Sequence, residues 1–386
     1  MSGALAIVGG GPAGLAAARA WRDGGGSGPV VMFTDDGAPY ERPPLSKEYL
    51  RGERRRGDLV IEPAGWYADN EIELRDEHVD RLDVDARTLT TAAGQTSFGW
   101  CLLATGSRPK VPDVPGAHLA GVHVLRSALD ADVLRGAIAL GAHAVVVGSG
   151  FIGCEAAVSM AAGGARVTVV SADSGPQAER LGSEVADRLD GWLGQEGIIR
   201  RYDTSLRSIE RSGSRLAVEA GEGPSLPADV VLLAVGAEPR TDLAVEAGLE
   251  TEDGGGVLAD ERLETSAPGV YVAGDIAYAH NAAAGRRVAV QHWGDALTQG
   301  EIAAKAMLGG ECSWSAAPGF WASVGSRKVK YVGWGDGHDE IRPDFGDDGS
   351  FSVRYGADGR TVGVLTHGRD DLYEQAAEMV RAGVPL

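Results

Sequence analysis

The chain has 386 residues, 44% of them apolar and 24% charged, with a formal net charge of −19, and is long enough for two or three globular domains. That acidity excludes a nucleic-acid binder, whose phosphate contacts need a basic footprint, and no stretch approaches the ~20 charge-free residues of a membrane helix. Cys101, Cys154 and Cys312 lie far apart, which excludes a Cys-x-x-Cys redox centre or a four-thiolate iron–sulfur cluster, and no metal site is expected.

An apolar strand at 4–8 runs into Gly9-Gly10-Gly11-Pro12-Ala13-Gly14 and then into an alanine-rich helix. In such a fingerprint the first glycine makes the turn, the second lets backbone approach a pyrophosphate, and the third lets helix pack on strand. The run at 4–21 lacks a basic leader and carries those glycines, so it reads as a nucleotide-binding unit rather than a signal peptide, with the cytoplasm as the expected compartment. The next strand, at 30–33, ends in Asp35 and Asp36. A carboxylate about 20 residues past the glycines is where an adenosine ribose presents its hydroxyls; Asp35 is the candidate, with Asp36 one residue away as the alternative.

A strand at 100–103 closes on Ala104-Thr105-Gly106, and Pro109, Pro112 and Pro115 mark a linker. A second strand at 144–147 then runs into Gly148-Ser149-Gly150-Phe151-Ile152-Gly153, repeating the first fingerprint. Two such units suggest two dinucleotides held close enough to exchange electrons. The second unit continues to a strand at 166–170, where Ser171 stands in place of the expected acid and Asp173 follows. A strand at 230–235 ends at Gly236-Ala237-Glu238-Pro239, a second crossing between domains, and a buried strand at 271–273 meets Gly274-Asp275. From Ser313 onward, alternating polar and apolar runs predict antiparallel strands, and a helix at 372–382 ends at Gly383.

The string Pro39-Tyr40-Glu41-Arg42-Pro43-Pro44-Leu45-Ser46-Lys47 stands between the fingerprints. Together with Leu103-Ala104-Thr105-Gly106-Ser107-Arg108-Pro109, Val270-Tyr271-Val272-Ala273-Gly274-Asp275 and His292-Trp293, it resembles the FAD-dependent ferredoxin/rubredoxin reductase family. Putidaredoxin reductase and the reductases of aromatic-ring dioxygenases are members, and apoptosis-inducing factor is a relative. The resemblance implies an α/β fold with two Rossmann-like dinucleotide-binding domains of the glutathione reductase type. FAD would be held by 1–111 with 240–312, NAD(P)H by 112–239, and a C-terminal α+β interface domain would span 313–386.

For the flavin, the resemblance implies Asp35 on the ribose, Arg42 near the pyrophosphate and Asp275 on the ribityl chain. It places Ala104, Thr105, Gly106, Arg108 and Gly274 around the cofactor, and Lys47 beside the isoalloxazine, paired with Glu155. A paired ammonium there would favour the electron-rich reduced ring. Gln291, His292, Trp293 and Trp321 are expected at the flavin edge. Gly148, Gly150, Phe151, Ile152, Gly153, Ser171 and Gly236 would surround the nicotinamide nucleotide.

The chain departs from the family's pattern at three places in the nicotinamide half, and again after Phe320-Trp321-Ala322-Ser323-Val324-Gly325, where the family's acidic continuation is absent. Ser171 replaces a glutamate, Gly175 an arginine, and Gln291 a glutamate before His-Trp. NADH is the expected donor, since Asp173 is available and 171–179 contains no cation; NADPH is the less favoured one. The implied reaction passes hydride to FAD N5 and single electrons to a small iron–sulfur ferredoxin serving an oxygenase. Arg54-Arg55-Arg56, Arg286-Arg287 and Arg327-Lys328-Lys330 are the basic clusters on which an acidic ferredoxin could dock. An oxidase, peroxidase or disulfide reductase would need a cysteine near the flavin, where Ser46-Lys47 stands instead. Two alternatives remain: a redox-sensing or partner-binding flavoprotein with a degenerate nicotinamide site, and a monodehydroascorbate-type reductase. Monomer and homodimer are both open.

Overall fold

The computed structural model describes residues 3–252, 254–335 and 337–386. Its first sheet is parallel throughout, in the spatial order Val270–Val272, Trp100–Leu103, Leu5–Val8, Val30–Thr34 and Ile72–Asp76. Every residue of Leu5–Val8 is buried, as expected of a central parallel strand covered on both faces, which therefore reads as an unbroken apolar run. From Leu5–Val8 the chain moves one way to Val30–Thr34 and returns on the other side to Trp100–Leu103. That reversal opens a crevice at the carboxyl end of the central strand, where open α/β sheets bind ligands.

The second sheet repeats the arrangement. Its order is Ile199–Arg201, Arg166–Val170, His143–Val147, Val230–Leu233 and Val122–His123, again parallel, with the reversal at His143–Val147. The two crossings between the sheets pair with each other: Ser107–Pro109 runs antiparallel to Ala237–Pro239. This leaves both glycine turns at the carboxyl ends of their sheets, and a two-stranded link holds the sheets together.

The C-terminal region is a five-stranded antiparallel sheet of Gly319–Val324, Arg327–Gly333, Arg360–His367, Phe351–Ala357 and Glu340–Phe345. The helix Asp370–Ala382 packs against it through Ala376 and Val380. On its inner side Tyr331, Phe351, Val353 and Leu365 share one continuous core with Val146, Val169, Leu189 and Leu193 of the second unit. Burial of these side chains supplies the main adhesion, at roughly 25 cal/mol per Å² of apolar surface.

Several sequence-expected boundaries move. The strand expected at 230–235 stops at Leu233, since the chain turns out toward Gly236, whose φ is 101°. The strand expected at 271–273 is Val270–Val272, in register with Cys101 to Leu103. The closing helix begins at Asp370, where two acidic residues suit a helix N-terminus. No helix among the described residues is long and apolar enough to cross a membrane.

Cys101 and Cys154 are fully buried, and burial pushes both thiols up to about 12; Cys312 is half-buried. A thiol reagent at mildly alkaline pH is therefore expected to modify Cys312 first in the native protein. The other two should react only after denaturation. Fast reaction of a second thiol would show that one of these cores opens.

Candidate active site

The two fingerprints fold alike at their first and third glycines. Gly9 has φ 123°, and a Cβ there would lie 2.1 Å from the Ala104 carbonyl oxygen; Gly148 has φ 108°, and its Cβ would lie 2.3 Å from that of Ala234. Only glycine lets the chain turn so tightly against the neighbouring strand. A Cβ on Gly14 would come within 2.2 Å of the Gly9 carbonyl, and one on Gly153 equally close to the Gly148 carbonyl. The middle glycines differ: Gly11 faces open space, and the nearest atom to a Cβ on Gly150 is Gln177 Nε2, at 3.6 Å.

The helices Pro12–Asp23 and Phe151–Ala162 start at these glycines with no side-chain cap. Pro12 occupies the first helical position, where its missing N–H costs nothing. Each helix therefore points N–H groups and the positive end of its dipole into its crevice, a ready anion site.

Beside the first fingerprint, a cavity of about 200 Å³ is lined by Gly9, Thr105 and Asp35. Asp35 has Arg240 Nη1 at 3.5 Å and His78 Nδ1 at 3.9 Å. Asp36 is committed elsewhere: it accepts from the Tyr40 hydroxyl and has Arg42 Nη2 at 3.7 Å. The register that sequence left open thus resolves to Asp35 at the cavity. Thr105 Oγ1 donates to the Arg240 carbonyl at 2.8 Å.

Farther along the crevice Asp275 accepts from Ser107 Oγ at 2.6 Å and from Arg126 Nη2 at 2.8 Å. The Gly274 N–H, at φ 81°, donates to Gln299 Oε1 at 2.8 Å. A Cβ on Gly106 would lie 3.4 Å from Arg126 Nη2. Arg126 was not singled out from sequence, because it sits in a loop before the helix Ala128–Ala137 with no motif around it. Its Nε is buried without a partner, an orphaned donor that fits a phosphate oxygen. Arg108 does not join this group. Its guanidinium forks onto Glu238, its cross-strand partner, at 2.7 Å and onto Asp242 at 2.6 Å, and it lines a separate cavity with Lys110 and Val235.

Between the two crevices lies the pair expected from sequence. Lys47 Nζ stands 3.0 Å from Glu155 Oε2, with the side chains only 8% and 4% exposed. The Ser46 hydroxyl also donates to Oε2, and the Ser323 N–H donates to Oε1 at 3.0 Å. Trp321, 46% exposed, has Lys47 Nζ and Lys328 Nζ over its ring at 4.9 and 4.8 Å. Phe320 packs between Phe151 and His292, with ring centroids 5.1 and 4.8 Å away. His292 Nδ1 is 3.4 Å from Asp295 Oδ2. Trp293 opens the helix Trp293–Met307 half-buried, while Gln291 is exposed.

At the second crevice Ile152 is exposed and Gly236 accepts from the Lys110 N–H at 2.9 Å. A cavity of about 480 Å³ opens beside Val235 and Lys110. Ser171 is buried and hydrogen-bonded to Ser149 and Asp173.

Residues 3–300 match the model of the pyridine nucleotide-disulphide oxidoreductase family. The chain belongs to that family. It is 31% identical to the rhodocoxin reductase of Rhodococcus erythropolis over 388 residues, covering 99% of this chain and 90% of that protein. It is 33% identical over 340 residues to the biphenyl dioxygenase system ferredoxin–NAD(+) reductase component of Paraburkholderia xenovorans, covering 87% and 82%. Among solved structures, the covalent putidaredoxin reductase–putidaredoxin complex superposes with a TM-score of 0.94 at 28% identity, covering 99% and 94%. Unlike the disulphide-reducing chemistry in the family's name, this oxidoreductase carries Ser46-Lys47 at the crevice, and its cysteines are free thiols.

Two outcomes follow from this geometry. Glu155→Ala leaves Lys47 buried and unpaired and is expected to cost about 3–5 kcal/mol in thermal or denaturant unfolding; adding Lys47→Met should recover part of that loss. Gly150→Ala has room and should leave stability within about 0.5 kcal/mol while weakening dinucleotide binding. Gly153→Ala should instead destabilise by about 1–3 kcal/mol through the clash with Gly148.

Proposed function

We propose that this chain is an FAD-dependent NADH oxidoreductase that delivers electrons to a small iron–sulfur ferredoxin. The observation that carries it is the pair of glycine cradles, with the buried Lys47–Glu155 pair between them. In this reading 1–111 with 240–312 holds FAD, 112–239 holds the nicotinamide nucleotide, and 313–386 forms the acceptor-facing side. The relatives' names, ferredoxin–NAD(+) reductase above all, support the same donor and acceptor classes.

Bound FAD supplies the conversion of a two-electron hydride donor into single electrons. Around it, Gly9 makes the turn, Pro12 opens the helix, and Gly11, Ala13 and Gly14 present N–H groups to the pyrophosphate. Arg42 and the orphaned Nε of Arg126 add cationic donors to its oxygens. Asp35 accepts from the adenosine ribose. Asp275, oriented by Ser107 and Arg126, accepts from a ribityl hydroxyl.

Lys47 is held by Glu155 and buried with it, so its charge acts at short range in a medium of low dielectric. Gly148, Gly150 and Gly153 bring the nicotinamide nucleotide to the same place, which turns encounter into positioning. Trp321 and Lys328 stand at the solvent edge of this site; among the described residues Lys328 has no carboxylate within 4 Å, whereas Lys330 and Arg327 are paired with Asp370 and Glu196. An acidic ferredoxin would meet the Lys328 charge there on an otherwise acidic protein. The donor NADH is an intracellular metabolite, which puts the reaction in the cytoplasm.

Anaerobic stopped-flow mixing of the FAD-loaded protein with NADH tests the reading. Fast bleaching of the flavin band is expected, followed by reoxidation on adding an oxidised ferredoxin. A flavin left oxidised by both NADH and NADPH at millimolar concentration would overturn it. Arg126→Ala is expected to lower the FAD retained through gel filtration, read from the ratio of flavin to protein absorbance.

A further inference from the structure

The second crevice carries an arrangement that differs from the usual dinucleotide-binding unit. In such units an acid at the end of the second strand meets the adenosine ribose. Here the strand Arg166–Val170 ends at Ser171, which is 4% exposed and too short and too buried to reach a ligand itself. Resting on the oxidoreductase reading above, we infer that Asp173 reads the adenosine ribose at the second fingerprint and selects NADH over NADPH, with Ser171 and Ser149 as its positioning residues.

The hydrogen bonds support this assignment. Ser171 Oγ donates to Asp173 Oδ2 at 3.1 Å and accepts from Ser149 Oγ at 2.9 Å. Ser149 Oγ also lies 3.4 Å from the same Oδ2. The Asp173 N–H donates to Ser171 Oγ at 3.3 Å, and its carbonyl accepts from the Asp203 N–H at 3.0 Å. The residue is thus held through its backbone and through Oδ2, which ties it to Ser149 in the loop between Gly148 and Gly150. Among the described residues every hydrogen bond to it goes to Oδ2, which leaves Oδ1 for a ribose diol.

The charge distribution sets the preference. Among the described residues no cation lies within 4 Å of the Asp173 carboxylate. Arg200 forks onto Asp190 at 2.8 and 3.2 Å. Arg180 stacks over Phe320 at 5.3 Å, and the Arg201 guanidinium lies near Gly223. Two hydroxyls would donate to an unneutralised carboxylate, whereas a 2′-phosphate would meet a like charge with nothing to offset it.

Direct binding separates this from flavin turnover. ADP-ribose and its 2′-phosphorylated form would be titrated calorimetrically into FAD-loaded wild type, Asp173→Asn and Asp173→Ala, with bound flavin absorbance as the check on folding. Wild type is expected to prefer ADP-ribose by about 100-fold. Asp173→Asn should weaken ADP-ribose about tenfold while the 2′-phosphorylated ligand gains, so that the preference nearly vanishes. Flavin reduction by NADH and NADPH should shift in parallel. If NADH reduces the wild-type flavin but Asp173→Asn and Asp173→Ala keep the full preference, this assignment falls and the oxidoreductase reading stands. A wild type that prefers the 2′-phosphorylated ligand, and loses it in Arg201→Ala, also overturns the assignment. If wild type binds neither ligand and neither nucleotide reduces its flavin, both fall.

Discussion

Glu155 is the group on which the rest of the site depends. A buried carboxylate without partners is too costly to keep charged, and this one collects three donors from two distant stretches of chain: the Ser46 hydroxyl and the Lys47 ammonium from one, and the Ser323 N–H from the other. Each stretch fixes a different element against the helix Phe151–Ala162. The turn Pro43–Ser46 brings the first crevice, and the strand Gly319–Val324 brings the C-terminal sheet. Ser159, one turn farther along the same helix, donates a hydrogen bond to the Ser46 carbonyl at 2.7 Å. The single carboxylate therefore sets where Lys47 and Trp321 stand relative to both glycine turns.

Around that centre, packing and charge divide the work. The apolar core that runs from the second sheet into the C-terminal sheet provides adhesion without direction. Direction comes from a few polar contacts that cross between segments. Ser107, Arg126 and Asp275 meet at one point of the first crevice, and Ser149, Ser171 and Asp173 meet at the mouth of the second. Both clusters lie at carboxyl ends of parallel strands beside a reversal of strand order, where neighbouring loops splay apart and leave room for a ligand. The net charge of −19 acts at longer range on the approach of a charged partner.

Much of this was legible in the chain itself. Strand, glycine turn and helix are local features, so the two fingerprints and the buried strands beside them could be read from spacing and apolar runs. The Lys47–Glu155 pair was expected from a family likeness, and the free cysteines followed from their isolation. Element ends were less legible, as at the strand end Leu233 and the helix start Asp370, because they depend on which neighbour supplies the next hydrogen bond.

Sequence by itself determined the two dinucleotide units, the acidic residues at 35 and 36, and the missing acid at Ser171, since each is written within a dozen consecutive residues. Tertiary structure decided that Asp35 faces the cavity while Asp36 turns to Tyr40 and Arg42, that Arg108 forks onto Glu238 and Asp242, and that Arg126 and Ser323 enter the site. Apart from the local contacts of Asp36, those choices rest on contacts between segments up to 168 residues apart. No local pattern encodes such pairings, because they are selected only when the folded core brings the partners within hydrogen-bond reach.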